Sequence, residues 1–218
     1  MTTEPPREEK LIPAAEARIE MRVVNSRFIA TAGPTFTVEE AKVFIDRIRG
    51  EFSDASHNVP AYLIGHPPSV IAHCNDDGEP SGTAGRPALA VLRGSGLGDV
   101  TVVVTRYFGG TKLGTGGLVR AYGDAVREVL EIVPRAVKVA THTVSITMPY
   151  SAFEPVRRLV RRYGGVVIDE AFAGEVTLTA RLRVDRFDAF RSALEERSNG
   201  TLQPDLIETN EPTILPIG

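Results

Sequence analysis

The sequence has little of what would mark a secreted or membrane-embedded protein. Cys74 is the only cysteine in 218 residues, which excludes an internal disulfide and fits a reducing cytosol. The opening residues, MTTEPPREEKLIP, are polar and contain no apolar segment of the kind that a signal peptide needs. No run approaches the ~18 apolar residues of a membrane-spanning helix. We therefore expect a cytoplasmic protein without a membrane partner.

An excess of charge of one sign is also missing. The chain carries 25 basic and 28 acidic residues, for a net charge of −3, so no overall field attracts it to nucleic acid. Any such binding has to come from a local patch. The 42% hydrophobic and 24% charged content is that of a globular protein. Its length exceeds the roughly 100–150 residues of a typical domain, so one large or two small domains are expected.

No arrangement of a nucleophile with a general base is visible. Cys74 adjoins His73, but nothing in the pattern indicates a lowered thiol pKa. His57, His66 and His73 fall on predicted strand ends and loops, without the spacing of metal ligands. The sequence therefore predicts no catalytic residue, no metal site and no cofactor.

The second half of the chain follows the pattern of a ferredoxin-like domain. Strands are predicted at 141–148, 166–172, 175–184 and 201–208, with helices that start at Ser151 and Asp185. The order is β-α-β-β-α-β, the split βαβ arrangement. We predict a polar leader over 1–17, a first domain over 18–140 and the ferredoxin-like domain over 141–218.

The first domain is predicted to be an α+β sheet with helices packed on it. Thr37 and Glu40 have the spacing of a capping box at the start of a helix. The run DVTVVVTRYF (99–108) is apolar enough for a central strand. The other predicted elements are strands at 17–23, 26–33, 58–65 and 69–75, a turn at Asn25 and Ser26, a short helix near Pro87 and a long helix over 116–131.

Two glycine-rich segments, DDGEPSGTAGRP (76–87) and TRYFGGTKLGTGGLVRAYGDA (105–125), are the most unusual part of the sequence. In the second, a glycine loop joins a strand to a helix, which presents free amides at a positive helix end. The spacing fits neither a P-loop nor G-x-G-x-x-G, so a sharp turn for close packing stays an open alternative. The predicted anion- or nucleic-acid-binding residues are Arg106, Lys112, Gly114, Thr115, Gly116, Gly117 and Arg120.

Charged residues elsewhere leave similar alternatives. Asp76, Asp77 and Glu79 offer oxygens to a hard cation, but DDG and PSG are turn signals. They favour a hydrogen-bonded turn or a salt bridge to the nearby basic loop. A second basic surface is formed on one predicted helix by Arg157, Arg158, Arg161 and Arg162. Solvated helix face is the default interpretation of these arginines, and contact with phosphate or a partner is the alternative.

These segments resemble the signature of the YigZ/IMPACT family. DDGEPSGTAGRP and VTRYFGGTKLGTGGLVRAYGDA match it nearly word for word, and the upstream elements NSRFIA, EEAKVFIDRIR and DASHNVPAYLIG fall where the family has them. The resemblance covers about 18–130, and 141–208 matches the usual bacterial C-terminal half. Val59 departs from the cysteine of many members, which argues against cysteine-dependent chemistry.

The resemblance implies a fold and a general function. In members of the family, the first domain is similar to the second domain of ribosomal protein S-five and to the fourth domain of elongation factor G. The second domain of the family is similar to the ferredoxin-like fifth domain of that factor. Eukaryotic IMPACT proteins restrain the amino-acid-starvation kinase through an additional N-terminal domain, which we do not expect here. What remains is a non-enzymatic regulator that binds RNA, the ribosome or a translation factor. The alternative is an enzyme for a phosphorylated small molecule or nucleotide, with magnesium at the acidic turn.

Overall fold

A computed structural model of the chain describes residues 10–217. The chain divides into two compact units, of which the first ends at Ala136 and the second runs from Val137 to Ile217. Among residues 10–217, no helix combines the length and the apolar character that crossing a bilayer requires.

The first unit is built on an antiparallel sheet with the strand order β2-β3-β6-β4-β5. Its central strand is the one predicted from the apolar run at 99–108. Its elements are β1 (Leu11–Pro13), β2 (Ala17–Val23), β3 (Ser26–Pro34), α1 (Val38–Glu51), β4 (His57–His66), β5 (Ser69–Cys74), α2 (Gly85–Gly94), β6 (Val100–Tyr107) and α3 (Gly114–Ile132).

Helices cover both faces of this sheet. Helices α2 and α3 pack on one face, in a core that includes Val102 and Val104 of β6. Helix α1 packs on the other face, in a core that includes Val103. A strand that is buried on both faces has no solvent-facing side, which explains the unbroken apolar run Val102–Val104 at the centre of β6.

Local signals account for most element boundaries. The Oγ1 of Thr37 accepts a hydrogen bond from the Glu40 amide (3.1 Å), and the Glu40 carboxylate accepts one from the Phe36 amide (2.8 Å). The first bond is the one that a capping box makes, while the second goes to the amide one residue before the N-cap, and together they fix the start of α1. The turn between β2 and β3 falls one residue earlier than predicted, because Val23 already pairs with Ser26.

The predicted leader contains ordered structure. Residues 1–9 lie outside the described residues, but Leu11 forms a parallel bridge to Leu97 and Ile12 is fully buried. The Ala14 amide also donates to the Pro134 carbonyl at 2.7 Å. The end of the leader is therefore a short strand rather than a polar segment, because its apolar side chains find a core.

The second unit has the predicted β-α-β-β-α-β order. Its elements are β7 (Arg135–Met148), α4 (Tyr150–Arg162), β8 (Val166–Phe172), β9 (Val176–Arg183), α5 (Val184–Arg197) and β10 (Asp205–Pro216). Strand β7 lies between β10 and β9, and β8 follows β9, which is the ferredoxin-like order. Side chains of β7 and β9 form the core with α4 and α5. The last strand starts after Pro204 and extends beyond the predicted 201–208.

Candidate functional site

A buried ion pair lies beneath the glycine loop. The Arg106 Nη1 is 2.5 Å from the Glu79 Oε1, and these residues are only 4% and 8% exposed. The other guanidinium nitrogen, Nη2, donates to the Ser26 Oγ at 3.2 Å. The expectation that Arg106 contacts an anion at the surface is therefore wrong, because its charge is paired inside the first unit.

Two further side chains complete this network around Glu79. The Tyr122 hydroxyl donates to the Glu79 Oε1 at 2.8 Å, and the His57 Nε2 lies 3.8 Å from the same oxygen. Burial, followed by the charge of Glu79, raises the pKa of Tyr122, which therefore remains a proton donor. The network connects the acidic turn with β4, β6 and α3.

The other two acidic side chains point to different elements. The Asp76 carboxylate accepts the amides of Gly82 (2.7 Å), Ala84 (3.1 Å) and Gly85 (2.8 Å) at the start of α2. Burial acts to raise the pKa of Asp76, but these three amides, together with the charge of Arg86, outweigh it and the pKa is lowered. Asp76 thus performs the task of an N-cap.

Asp77 ties the acidic turn to α1 and β4. Its Oδ1 accepts from the Arg49 Nη2 at 2.9 Å, and its Oδ2 accepts from the Asn58 amide at 2.6 Å. In the described part of the chain, no group of three or more His, Cys, Asp or Glu residues is placed to hold a metal ion. The interpretation of the acidic turn as a hydrogen-bonded turn with a salt bridge agrees with these contacts.

Close contact explains several glycines of the signature. A Cβ on Gly109 would lie 1.9 Å from the Asn25 carbonyl oxygen, and one on Gly85 would lie 2.7 Å from that of Asn75. The loop is further fixed to the β2–β3 turn by a 3.2 Å bond from the Asn25 amide group to the Thr111 hydroxyl. The packing alternative, a turn that allows close approach, therefore holds for Gly109.

The start of α3 is open to solvent. Leu113 stands at the N-cap without a side-chain hydrogen bond, and the first turn contains no acidic residue. Lys112, Gly114, Thr115, Gly116 and Arg120 are exposed, and Gly117 is partly exposed. The amides of a first helical turn have no partner within the helix. The structure thus keeps all the predicted anion-binding residues except Arg106 at one accessible helix end.

Phe108 is a surface residue that sequence reasoning missed. It is 49% exposed and immediately precedes the glycine loop. Its amide donates to the Ser56 Oγ at 3.0 Å, and its ring centroid lies 5.6 Å from the Arg106 Cζ. The sequence signal was an aromatic residue just past the end of a central strand, where the covering helices no longer bury it. We define the loop surface as Phe108, Lys112, Gly114–Gly117 and Arg120.

The arginines of α4 lie in the second unit. Arg157 is bonded to Glu154 (3.2 Å) and lies 3.3 Å from Glu170. Together with Arg161 it borders a groove of about 550 Å³ along residues 165–170 of this unit. Arg158, Arg161 and Arg162 are exposed. These three carry the charge of the predicted second basic surface, because the charge of Arg157 is paired.

Comparison with known proteins identifies relatives of both units. Residues 24–130 match the Impact N-terminal domain, and residues 146–201 match a domain of unknown function (DUF1949). The chain is 36% identical over 204 residues to an IMPACT family member of Haemophilus influenzae, covering 93% of this chain and 99% of that protein. It is 38% identical over 202 residues to the IMPACT family member YigZ of Escherichia coli, covering 92% and 99%.

Solved structures agree with this assignment. The crystal structure of a hypothetical protein is 38% identical, with a TM-score of 0.60 over 92% of this chain and 98% of that chain. The two-domain translational regulator Yih1 is 23% identical, with a TM-score of 0.34 over 60% of this chain and 53% of its own, a likeness too low to carry an argument. From the matches to both domains and the nearly complete coverage of these relatives, the chain belongs to the IMPACT family, in the two-domain form that YigZ represents.

Proposed function

We propose that this protein is a non-enzymatic, translation-associated regulator of the cytoplasm that binds RNA, the ribosome or a translation factor through the loop surface. The observation that carries the proposal is the open start of α3, where Lys112 and Arg120 are exposed and the first turn has no acid. Helix N-termini of this kind bind phosphate and other anions. Membership of the IMPACT family supports the connection with translation.

The local charge balance supports the same function. Asp76, Asp77 and Glu79 neighbour the loop in the signature, yet their carboxylates are taken up by amides, Arg49 and Arg106. They therefore present little negative charge that would repel a phosphate. The result is a local basic patch on a chain whose net charge is slightly negative. With that net charge, nucleic-acid binding requires such a local patch.

A charge-matched pair of double variants tests this proposal. Lys112→Ala with Arg120→Ala removes two charges from the loop surface, and Lys42→Ala with Arg93→Ala removes two exposed charges on other helices of the same unit. Binding to ribosomal RNA, transfer RNA and ribosomes is measured from ~50 mM salt upwards. We expect the first double variant to flatten the salt dependence by about 1.4–1.8 in log–log slope, and the second to leave it unchanged.

Two results would overturn the proposal. One is that the wild-type protein binds none of the three probes at the lowest salt. The other is that both double variants bind as the wild type does. A variant in which Arg158, Arg161 and Arg162 are replaced by alanine asks whether the second unit extends the surface, and an unchanged affinity would exclude that extension.

The alternative, an enzyme that holds magnesium at the acidic turn, is not favoured by the contacts of this turn. Each of the three carboxylates already has partners on a different element, so binding an ion would require the turn to break them. A panel of nucleotides with magnesium tests the alternative by thermal shift. Stabilisation by several degrees with one nucleotide would favour an enzyme, because a ligand of the native state raises its apparent stability.

A further inference from the structure

Phe108 is an exposed aromatic ring whose surroundings hold it in one place. Its amide is bonded to the Ser56 hydroxyl, and its ring lies against the guanidinium of Arg106. Arg106 in turn cannot move freely, because Glu79 and Ser26 bind its two terminal nitrogens. A ring fixed in this way loses little conformational entropy when a ligand covers it.

The position of Arg106 also suits the ring to a flat ligand. A guanidinium within about 6 Å of a ring centroid is attracted to its π-system, and Arg106 lies 5.5 Å from the centroid of Phe28 and 5.6 Å from that of Phe108. The buried cation therefore supports the Phe108 ring from within the protein. Half of the residue stays open to solvent, and that part is free to be covered.

The neighbouring loop indicates what covers it. Phe108 is followed within six residues by Lys112 and the open start of α3, both suited to phosphate. An aromatic side chain next to a phosphate-binding backbone is the combination that single-stranded nucleic acids require, because every base has a face for stacking. Base-paired RNA keeps its bases inside the helix, so only an unpaired nucleotide places a base on the ring.

We propose that the Phe108 ring is a stacking platform for an unpaired base of single-stranded RNA, with the adjacent phosphate at Lys112 and the amides of Gly114–Gly116. This proposal rests on the proposed function and specifies its ligand. It assigns the affinity to two independent terms. The loop contributes a salt-dependent term for phosphate, and Phe108 contributes a salt-independent term for the base.

Binding of labelled oligouridine of about ten nucleotides tests the proposal, measured by fluorescence anisotropy at low salt. The comparison probes are an RNA of the same length that lacks its bases and a duplex of the same length. We expect Phe108→Ala to weaken oligouridine binding by about 5- to 150-fold without changing the salt slope. Phe108→Tyr keeps a ring and should bind as the wild type does, and wild type and Phe108→Ala should bind the base-free RNA equally weakly.

A matched control is available in the second unit. Phe172 is 56% exposed, so Phe172→Ala removes a similarly exposed aromatic ring and should leave binding unchanged. Circular dichroism and urea unfolding of each variant show whether it is folded. Phe108→Tyr separates loss of the ring from disturbance of the loop.

The outcomes distinguish this inference from the proposed function. If oligouridine binds but Phe108→Ala matches Phe172→Ala, or if the base-free RNA or the duplex binds as tightly, stacking is refuted while loop binding stands. If only ribosomes bind, and Phe108→Ala weakens that binding after the exposed RNA is digested, the ring contacts a protein and the inference is wrong. If none of the probes binds, both proposals fail.

Discussion

Replacing Glu79 with alanine removes the carboxylate that faces Arg106 and Tyr122 in the core of the first unit. The Arg106 guanidinium would be left buried without its counter-charge, and the Tyr122 hydroxyl without its acceptor. Breaking a buried ion pair from one side costs about 3–5 kcal/mol of unfolding free energy. That is a large share of the roughly 5–15 kcal/mol that stabilises a domain, so we expect a severely weakened first unit.

Hydrogen exchange of the β6 amides measures this cost, because the two units can unfold in separate transitions and β6 lies at the centre of the first. Glu51→Ala is the control, since Glu51 pairs with Arg18 at the surface. An exposed pair of this kind contributes at most about 1 kcal/mol. A Glu79→Ala protein within about 1 kcal/mol of this control would refute the claim that the Glu79–Arg106 pair is buried and indispensable.

A double replacement separates the charge from the shape of the site. Glu79→Leu with Arg106→Met removes both charges, and we expect it to be more stable than Glu79→Ala alone. The reason is that apolar residues of similar volume often replace a buried ion pair without loss. Should the double variant be less stable than Glu79→Ala, the cost would lie in lost packing and not in an unpaired charge.

Three further predictions use single substitutions. The amides of Gly82, Ala84 and Gly85 help to hold the pKa of Asp76 below the unfolded value of ~3.9. The ionised carboxylate therefore stabilises the protein above about pH 4, and this stabilisation is lost as the pH falls through the folded pKa. Asp76→Asn should therefore lower the unfolding free energy at pH 7, because the amide nitrogen cannot accept a hydrogen bond, and lower it much less in acid; urea unfolding at both pH values measures the difference, and equal costs would contradict this. Gly109→Ala should lower the first unit's unfolding midpoint, because its Cβ would overlap the Asn25 carbonyl, and an unchanged midpoint would show that the loop is not held there. Gly116 has a helical position with open space around it, so Gly116→Ala should raise stability by about 0.4–1 kcal/mol and yet weaken RNA binding. The control, Gly50→Ala in α1, should raise stability and leave RNA binding unchanged. A loss of stability in Gly116→Ala would contradict the reasoning.

Hydrophobic pattern was sufficient to predict most of the fold. The alternation in 141–148 and the helical spacing in 151–163 define the ferredoxin-like unit, and the apolar character of 99–108 predicted that β6 is a central strand. These signals are local, because each element contributes its own apolar face. The parallel bridge of Leu11 to Leu97 escaped prediction because three residues are too few to show a period.

Burial of Arg106 was within reach of the sequence. Val100, Val102 and Val104 face the core of α2 and α3, and the two-residue period of a strand directs residue 106 to the same face. The prediction that Arg106 contacts an anion at the surface followed the charge of its side chain and not the alternation of the strand. Its counter-charge was harder to predict, since Glu79 lies 27 residues away in a turn and nothing in the sequence specifies which acidic residue folds back.

The two halves of the signature therefore have different physical roles. Asp76, Asp77 and Glu79 bind elements of the first unit to one another, so substitutions in 76–87 should act on stability and affect binding only through it. In the second segment, Gly109 serves the fold through its contact with Asn25, while Gly116 has open space and a conformation that any residue adopts. Gly116, which the fold does not require to be glycine, leaves the α3 amides uncovered. Replacing it is therefore expected to raise stability and to weaken binding. That opposition of signs is what distinguishes a surface kept bare for a ligand from a loop that is merely tightly packed.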